Sequence, residues 1–252
     1  MGMSRNTSVE RLYTPKLEEA RARVRADETL AAIIDETADP RDVMGFLIQF
    51  SALGVFMTDK VEDWIRRAGE RCTQLGHTAL GRALVMHAKH EAGHHHMMIE
   101  DLNKLIPRWN EAYAPPLDAS ALLAQTPTSA MQRYVDIHED TIASEQPYGQ
   151  IAIEYEIEKM STVLGPVLMN ACARALGREV IEQMSFIEEH AALDVGHTAM
   201  NEVELDKFLA KHPEQAQRLA EIGAEALGIY LDFLGDCVRM GRSLGQQVRA
   251  SA

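Results

Sequence analysis

Aromatic residues make up only 6% of this 252-residue chain, and β-branched residues are sparse beside Ala, Leu, Glu, Arg and Met. Little is available to build a sheet, and helix is favoured throughout. Cysteine is equally thin. Cys72, Cys172 and Cys237 are odd in number, widely spaced and unaccompanied by CxxC, which argues against a disulfide framework or a thiolate metal site. No apolar run approaches the ~20 residues needed to span a bilayer, and the N-terminus MGMSRNTSVERLY lacks the apolar core of a secretion signal, so a reducing, cytoplasmic location is expected. Positive charge is also short. A formal net charge of -13 would be repelled by nucleic acid or an anionic membrane surface, and the best basic run, Arg21 to Arg25, is interleaved with acids and reads as a solvated helix face.

No low-complexity stretch or composition shift divides the chain, so one all-α domain is expected over residues 15–243, with a flexible leader at 1–14 and a flexible tail at 244–252. Pro15 suits an early helical position in a segment running to about Glu36, and Asp39-Pro40 opens the next, whose apolar positions continue through Trp64 to about Cys72. A histidine-bearing helix is predicted from about Ala79 to Ile106, stopping near Pro107. Pro115-Pro116 marks the clearest break. Thr128 is placed to cap a helix through Ile142, and Pro147 to begin a long one ended by Gly177. A second histidine helix is predicted from about Val180 to Leu209, before a last amphipathic helix.

Two stretches share one construction: His87-x-x-x-Glu91-x-x-His94 and His190-x-x-x-Asp194-x-x-His197. On a helix, positions i, i+4 and i+7 fall within an arc of roughly 60°, so each stretch aims two imidazoles and a carboxylate at one point. Small residues (Ala191, Ala192, Val195, Gly196) flank the second set, which is not how a solvated face is built. The first set is crowded by His90, His95 and His96. Consecutive residues point ~100° apart, so these cannot all face one centre, and Glu91 with His94 repeats the spacing of Asp194 with His197. His87 is either a ligand or a neighbour. Bundle sites draw a further carboxylate from another helix, and Glu154, Glu156 and Glu158 supply candidates, of which Glu154 and Glu158 share a face.

The stretch from about Pro40 to Gly235 resembles the haem-oxygenase-like di-iron oxidases and oxygenases, which share their fold with pyrroloquinoline-quinone synthesis and thiaminase proteins. The resemblance is carried by His190-x-x-x-Asp194-x-x-His197, by Glu91-x-x-His94, and by Tyr155-Glu156-Ile157-Glu158 followed by Ser161, Thr162, Leu164 and Gly165. It implies a helical bundle of the haem-oxygenase-like type and six ligands, Glu91, His94, Glu158, His190, Asp194 and His197, holding two irons, with Glu154 as the fallback for Glu158. It further implies oxygen as co-substrate, a small-molecule substrate, an electron donor and a homodimer. Phe46, Phe50, Phe56, Met57, Met97 and Met98 line an apolar pocket in this view, or are ordinary core. Two other metal chemistries compete. His90-Glu91-Ala92-Gly93-His94 spells HExxH, in which His90 and His94 bind zinc and Glu91 acts as base. A ferritin-like iron-binding or storage protein also uses paired carboxylate and histidine helices, and Glu62 precedes the first pair. A metal-free scaffold is the third rival, and would tolerate loss of His190 and His197.

Overall fold

A computed structural model describes residues 7–250, and within them the side chains of all but 187–195 and 245–250. Among the described residues every regular element is helical. A short π-helical turn, Val9–Tyr13, leads into α1 (Thr14–Arg25) and α2 (Glu28–Ile34). Then come α3 (Pro40–Thr58), α4 (Val61–Gln74), α5 (Thr78–Glu91) and α6 (His94–Ala112). The short α7 (Ala119–Leu123) and α8 (Ser129–Ala143) precede the 27-residue α9 (Gln150–Leu176), the single-turn α10 (Arg178–Ile181), α11 (Ser185–Lys211) and α12 (Ala216–Ala250).

Local chemistry sets most of the boundaries. Asp27, Asp39, Asp118 and Thr128 each turn a side-chain oxygen onto a backbone N–H of the first helical turn, at 2.8 Å to Leu30, 2.9 Å to Arg41, 2.8 Å to Ala121 and 3.3 Å to Met131, satisfying donors that have no partner within the helix. Asp27 is why the first predicted helix is two. Gly177, at φ 98, ends α9.

Helix α3 is buried on nearly every side, from Val43 to Gly54 without interruption. It packs against α6 and α12, while α9 packs against α11 and α12. The segment Pro40–Gln74 contains a stretch long and apolar enough to cross a membrane, contrary to the sequence expectation, but most of that stretch is buried within the bundle as core helix. Where α3 crosses α12 the backbones nearly touch: a Cβ on Gly45 would lie 2.5 Å from the Gly241 carbonyl oxygen, and one on Gly241 equally close to the Gly45 carbonyl carbon.

Other boundaries also depart from the sequence reading. Part of the predicted leader is core, because Val9 and Tyr13 are buried and Asp206 of α11 accepts the backbone N–H groups of Ser8 and Val9 at 2.6 and 3.2 Å. The predicted tail begins inside α12, whose backbone is helical to Ala250. The predicted first histidine helix is two, broken at Ala92-Gly93, with Gly93 at φ 86 and ψ 0. Pro107, expected to stop it, lies inside α6, which continues to Ala112.

Candidate metal centre

Three helices meet at one buried cluster. α5 contributes His87 and Glu91, α9 contributes Glu158, and α11 contributes His197, with one ligand atom from each within 4.8 Å of all the others. His87 Nε2 lies 2.9 Å from Glu158 Oε1 and 3.5 Å from Glu91 Oε1. His197 Nδ1 lies 3.2 Å from Glu91 Oε1 and 3.9 Å from Glu158 Oε1. Donor atoms held at about 2.1 Å from a common transition-metal ion sit about 3.0 to 3.4 Å apart at the edges of an octahedron or tetrahedron, and these four spacings bracket that range.

The cluster fits a cation better than it fits itself. His87 Nε2 and Glu158 Oε1 are at contact distance, yet both are buried without a hydrogen bond, because they lie off the line a ring N–H would need. Each faces the middle of the cluster instead. The second oxygen of Glu158 is held by Asn201, whose Nδ2 donates at 2.7 Å. A polar neighbour that fixes one carboxylate oxygen and leaves the other inward is the usual support for a metal ligand. Carboxylate and imidazole together suit Fe(II), Mn(II) or Zn(II).

Glu91 is the hub. Its Oε1 faces His87 and His197, and its Oε2 faces His94 Nδ1 at 2.8 Å. Burial by itself would raise its pKa, but the imidazoles of His197, His87 and His94 around it together hold it far below the usual carboxylate range. Burial pulls His87 down, but Glu158 and Glu91 beside it push it up to about 10. His197 is raised chiefly by the Glu91 carboxylate beside it. Glu154, one turn before Glu158, stands outside the four-residue cluster and accepts from Gln150 Nε2 at 2.6 Å. Its burial raises it to about 8. Gln150 is set in turn by the buried His138, 2.8 Å from the same Nε2, whose ring stacks on Trp64.

Of the residues picked out in the sequence, Glu91, Glu158 and His197 come together, and His87 joins them as a full member. His94 is buried on the far side of Glu91. The side chains of His190 and Asp194 lie outside those described. His90 and His96 are exposed, and His95 is half-buried 3.6 Å from Asp59. The HExxH arrangement needs His90 and His94 one turn apart on a continuous helix. The chain breaks between them at Gly93, and His90 is exposed where His94 is buried.

An apolar cavity of about 150 Å³ opens beside the cluster, with Glu91, Glu154 and Glu158 in its wall. Phe50, Met57 and Met98 line it as anticipated, whereas Phe46 is sealed in the core and Phe56 and Met97 are half-buried outside the lining. Sequence reasoning passed over Asn201, Gln150 and His138. It also missed Asp101 of α6, whose buried carboxylate accepts the Ser185 N–H and hydroxyl at 2.8 and 2.9 Å and the Phe186 N–H at 2.9 Å, capping α11 from a neighbouring helix.

No family model and no curated protein matches the chain. Among solved structures it is similar to a domain of unknown function with a haem-oxygenase-like fold from Shewanella denitrificans OS217, at a TM-score of 0.71 and 17% identity, covering 92% of each chain. At that identity the likeness speaks to architecture alone. The chain is a single helical domain with the haem-oxygenase-like fold.

Proposed function

We propose that the chain is a non-haem di-iron oxidoreductase that uses oxygen to oxidise a small organic molecule. The observation that carries this is Glu91, whose two oxygens face different histidines, Oε1 toward His87 and His197 and Oε2 toward His94. A carboxylate so placed can serve two ions at once. His87, Glu91, Glu158 and His197 would hold one, and His94 and the other oxygen of Glu91 would belong to the second, toward which the proposal assigns His190 and Asp194. Bound ferrous iron supplies the electrons and the open positions for oxygen.

The chain's own groups do the rest. Asn201 keeps Glu158 Oε1 turned inward. The cavity wall of Phe50, Met98, Tyr134 and Phe233 excludes water from the side where a substrate would approach. Glu154, held by Gln150, offers a polar group at the cavity edge. An external electron donor, a homodimer, a cytoplasmic location, and no nucleic acid or membrane partner go with this reading.

The test is metal content and oxygen uptake of protein loaded anaerobically with Fe(II). Two irons per chain and iron-dependent oxygen consumption are expected. One zinc per chain with no oxygen uptake would overturn the proposal.

A further inference from the structure

Three of the four cluster residues are buried and Glu91 nearly so, and the described residues offer an incoming ion two approaches. One is the cavity, whose wall beyond the carboxylates is mostly apolar, with Phe50, Met98, Leu164 and Phe233 among its members. A divalent cation giving up water there would gain little more than the hydroxyls of Thr58, Ser161, Tyr134 and Tyr230 in exchange, which is costly. The other approach is the break between α5 and α6, where Ala92 and Gly93 are exposed immediately after Glu91. His90 stands at that rim. It is exposed, and its ring lies against that of the ligand candidate His197, with centroids 5.4 Å apart and planes 12° from parallel. His90 follows His87 by three residues, about 60° round the helix, so it flanks the ligand face while staying outside the four-residue cluster. It also belongs to the last turn of α5, where unpaired carbonyls favour a cation. His95 and His96 touch each other with ring centroids 4.0 Å apart, but they lie in the first turn of α6, whose N–H groups repel one. Lys89 is exposed too, and it points about 100° round the helix from His90.

We propose that His90 is the entry ligand of the metal centre, taking a divalent cation from solvent and passing it to Glu91 and His197. Its imidazole replaces one water of the hydrated ion at the surface, where the rest of the shell stays in place, and each later water leaves only as a cluster atom takes its position. The ion is never bare. The bond to His90 breaks once His87, Glu91, Glu158 and His197 close around the ion, since their donor atoms gather without it. The inference rests on the metal centre of the proposed function and is independent of its oxygen chemistry.

Stopped-flow mixing of metal-free protein with Co(II), which suits the same imidazole and carboxylate donors, reads loading through the cobalt absorption, and transfer of the bound ion to excess chelator reads release. His90→Phe keeps a ring against His197 but removes the nitrogens, and should slow loading at least about tenfold, the scale of a lost supporting group at a metal site. Release should slow by the same factor and affinity stay within about twofold of the parent, because a step shared by entry and exit changes rates and not the equilibrium. His90→Ala should load as slowly as His90→Phe. His96→Ala, which checks for general attraction by surface imidazoles, should load within about twofold of the parent. Faster loading in His90→Ala would make His90 a mere cover over His197. Unchanged loading in His90→Phe, or equal slowing in His96→Ala, would overturn the assignment. A fall in affinity with no slowing of release would make His90 a ligand of the bound ion, as the HExxH arrangement requires, and would overturn it too. Protein that shows these kinetics but takes up no oxygen when loaded with Fe(II) would refute the oxidoreductase reading alone, and protein that binds no divalent cation would refute both.

Discussion

Replacing Asp101 by alanine should damage the candidate metal centre without touching a ligand residue. Asp101 sits on α6, seven residues after His94, and its carboxylate is the N-terminal cap of α11, the helix that carries His197. Three hydrogen bonds go with it, two of them from backbone donors that the helix cannot satisfy internally. Loss of a cap costs about 0.5–2 kcal/mol, and a buried donor left unsatisfied costs about 1–3 kcal/mol. Entry of a water would recover part of that, so a net loss of about 3 kcal/mol is expected, a large share of the ~5–15 kcal/mol of a typical domain. For a chain of this size that corresponds to a fall in Tm of about 6–12 °C. Asp101→Asn separates the contributions. Both Ser185 bonds land on Oδ1 and survive, while the amide nitrogen faces the Phe186 N–H and the negative charge at the helix start is gone, so about half the loss is expected. Urea and thermal unfolding of metal-free protein give the stabilities, and chelator competition gives the metal affinity, which should fall in the same order. Both variants lying within about 0.5 kcal/mol of the parent, where inconsequential surface changes lie, would refute the cap.

Three further outcomes are expected. Asn201→Leu frees Glu158 Oε2 and should weaken metal binding by about 10–100-fold, read by chelator competition, with little change in helix content by circular dichroism. Metal must displace protons from His87, raised to about 10, and from His197, also raised, so affinity should rise with pH, by at least about tenfold per unit between pH 6 and 7; a flat profile would mean the histidines are not ligands. Gly93→Ala places a Cβ at φ 86, a strain of about 1–2 kcal/mol offset by about 0.4–1 kcal/mol from a less flexible unfolded chain, and a modest fall in the urea midpoint is expected. A stabilised variant would mean that α5 and α6 run as one straight helix.

The sequence carried the helices wherever a boundary has local chemistry. Asp39-Pro40, Thr128 and Gly177 are legible because a cap or a stop acts within a few residues of itself. Gly93 was not, since a lone glycine in a helical pattern is tolerated and its positive φ is settled by what α5 and α6 pack against. The twin motifs point to the cluster but presuppose one unbroken helical phase, which leaves His87 as ligand or neighbour although it is one of the four residues that come together. Asn201, Gln150 and Asp101 were invisible for a different reason. A single polar residue on a helix looks like its solvent face, and only the approach of another helix turns it into a support.

The contact of Gly45 with Gly241 is a fulcrum. α3 leaves it toward Phe50 and Gly54, and α12 reaches it from Tyr230, Phe233 and Leu234, all of which line the cavity. A methyl group inserted at either glycine would wedge the two rods apart at their crossing and splay the walls several residues away. The width of the cavity is therefore set in part at a crossing that lies outside its wall. Related chains could widen or narrow their appetite by a single small residue there, with every wall side chain and every candidate ligand left as it is.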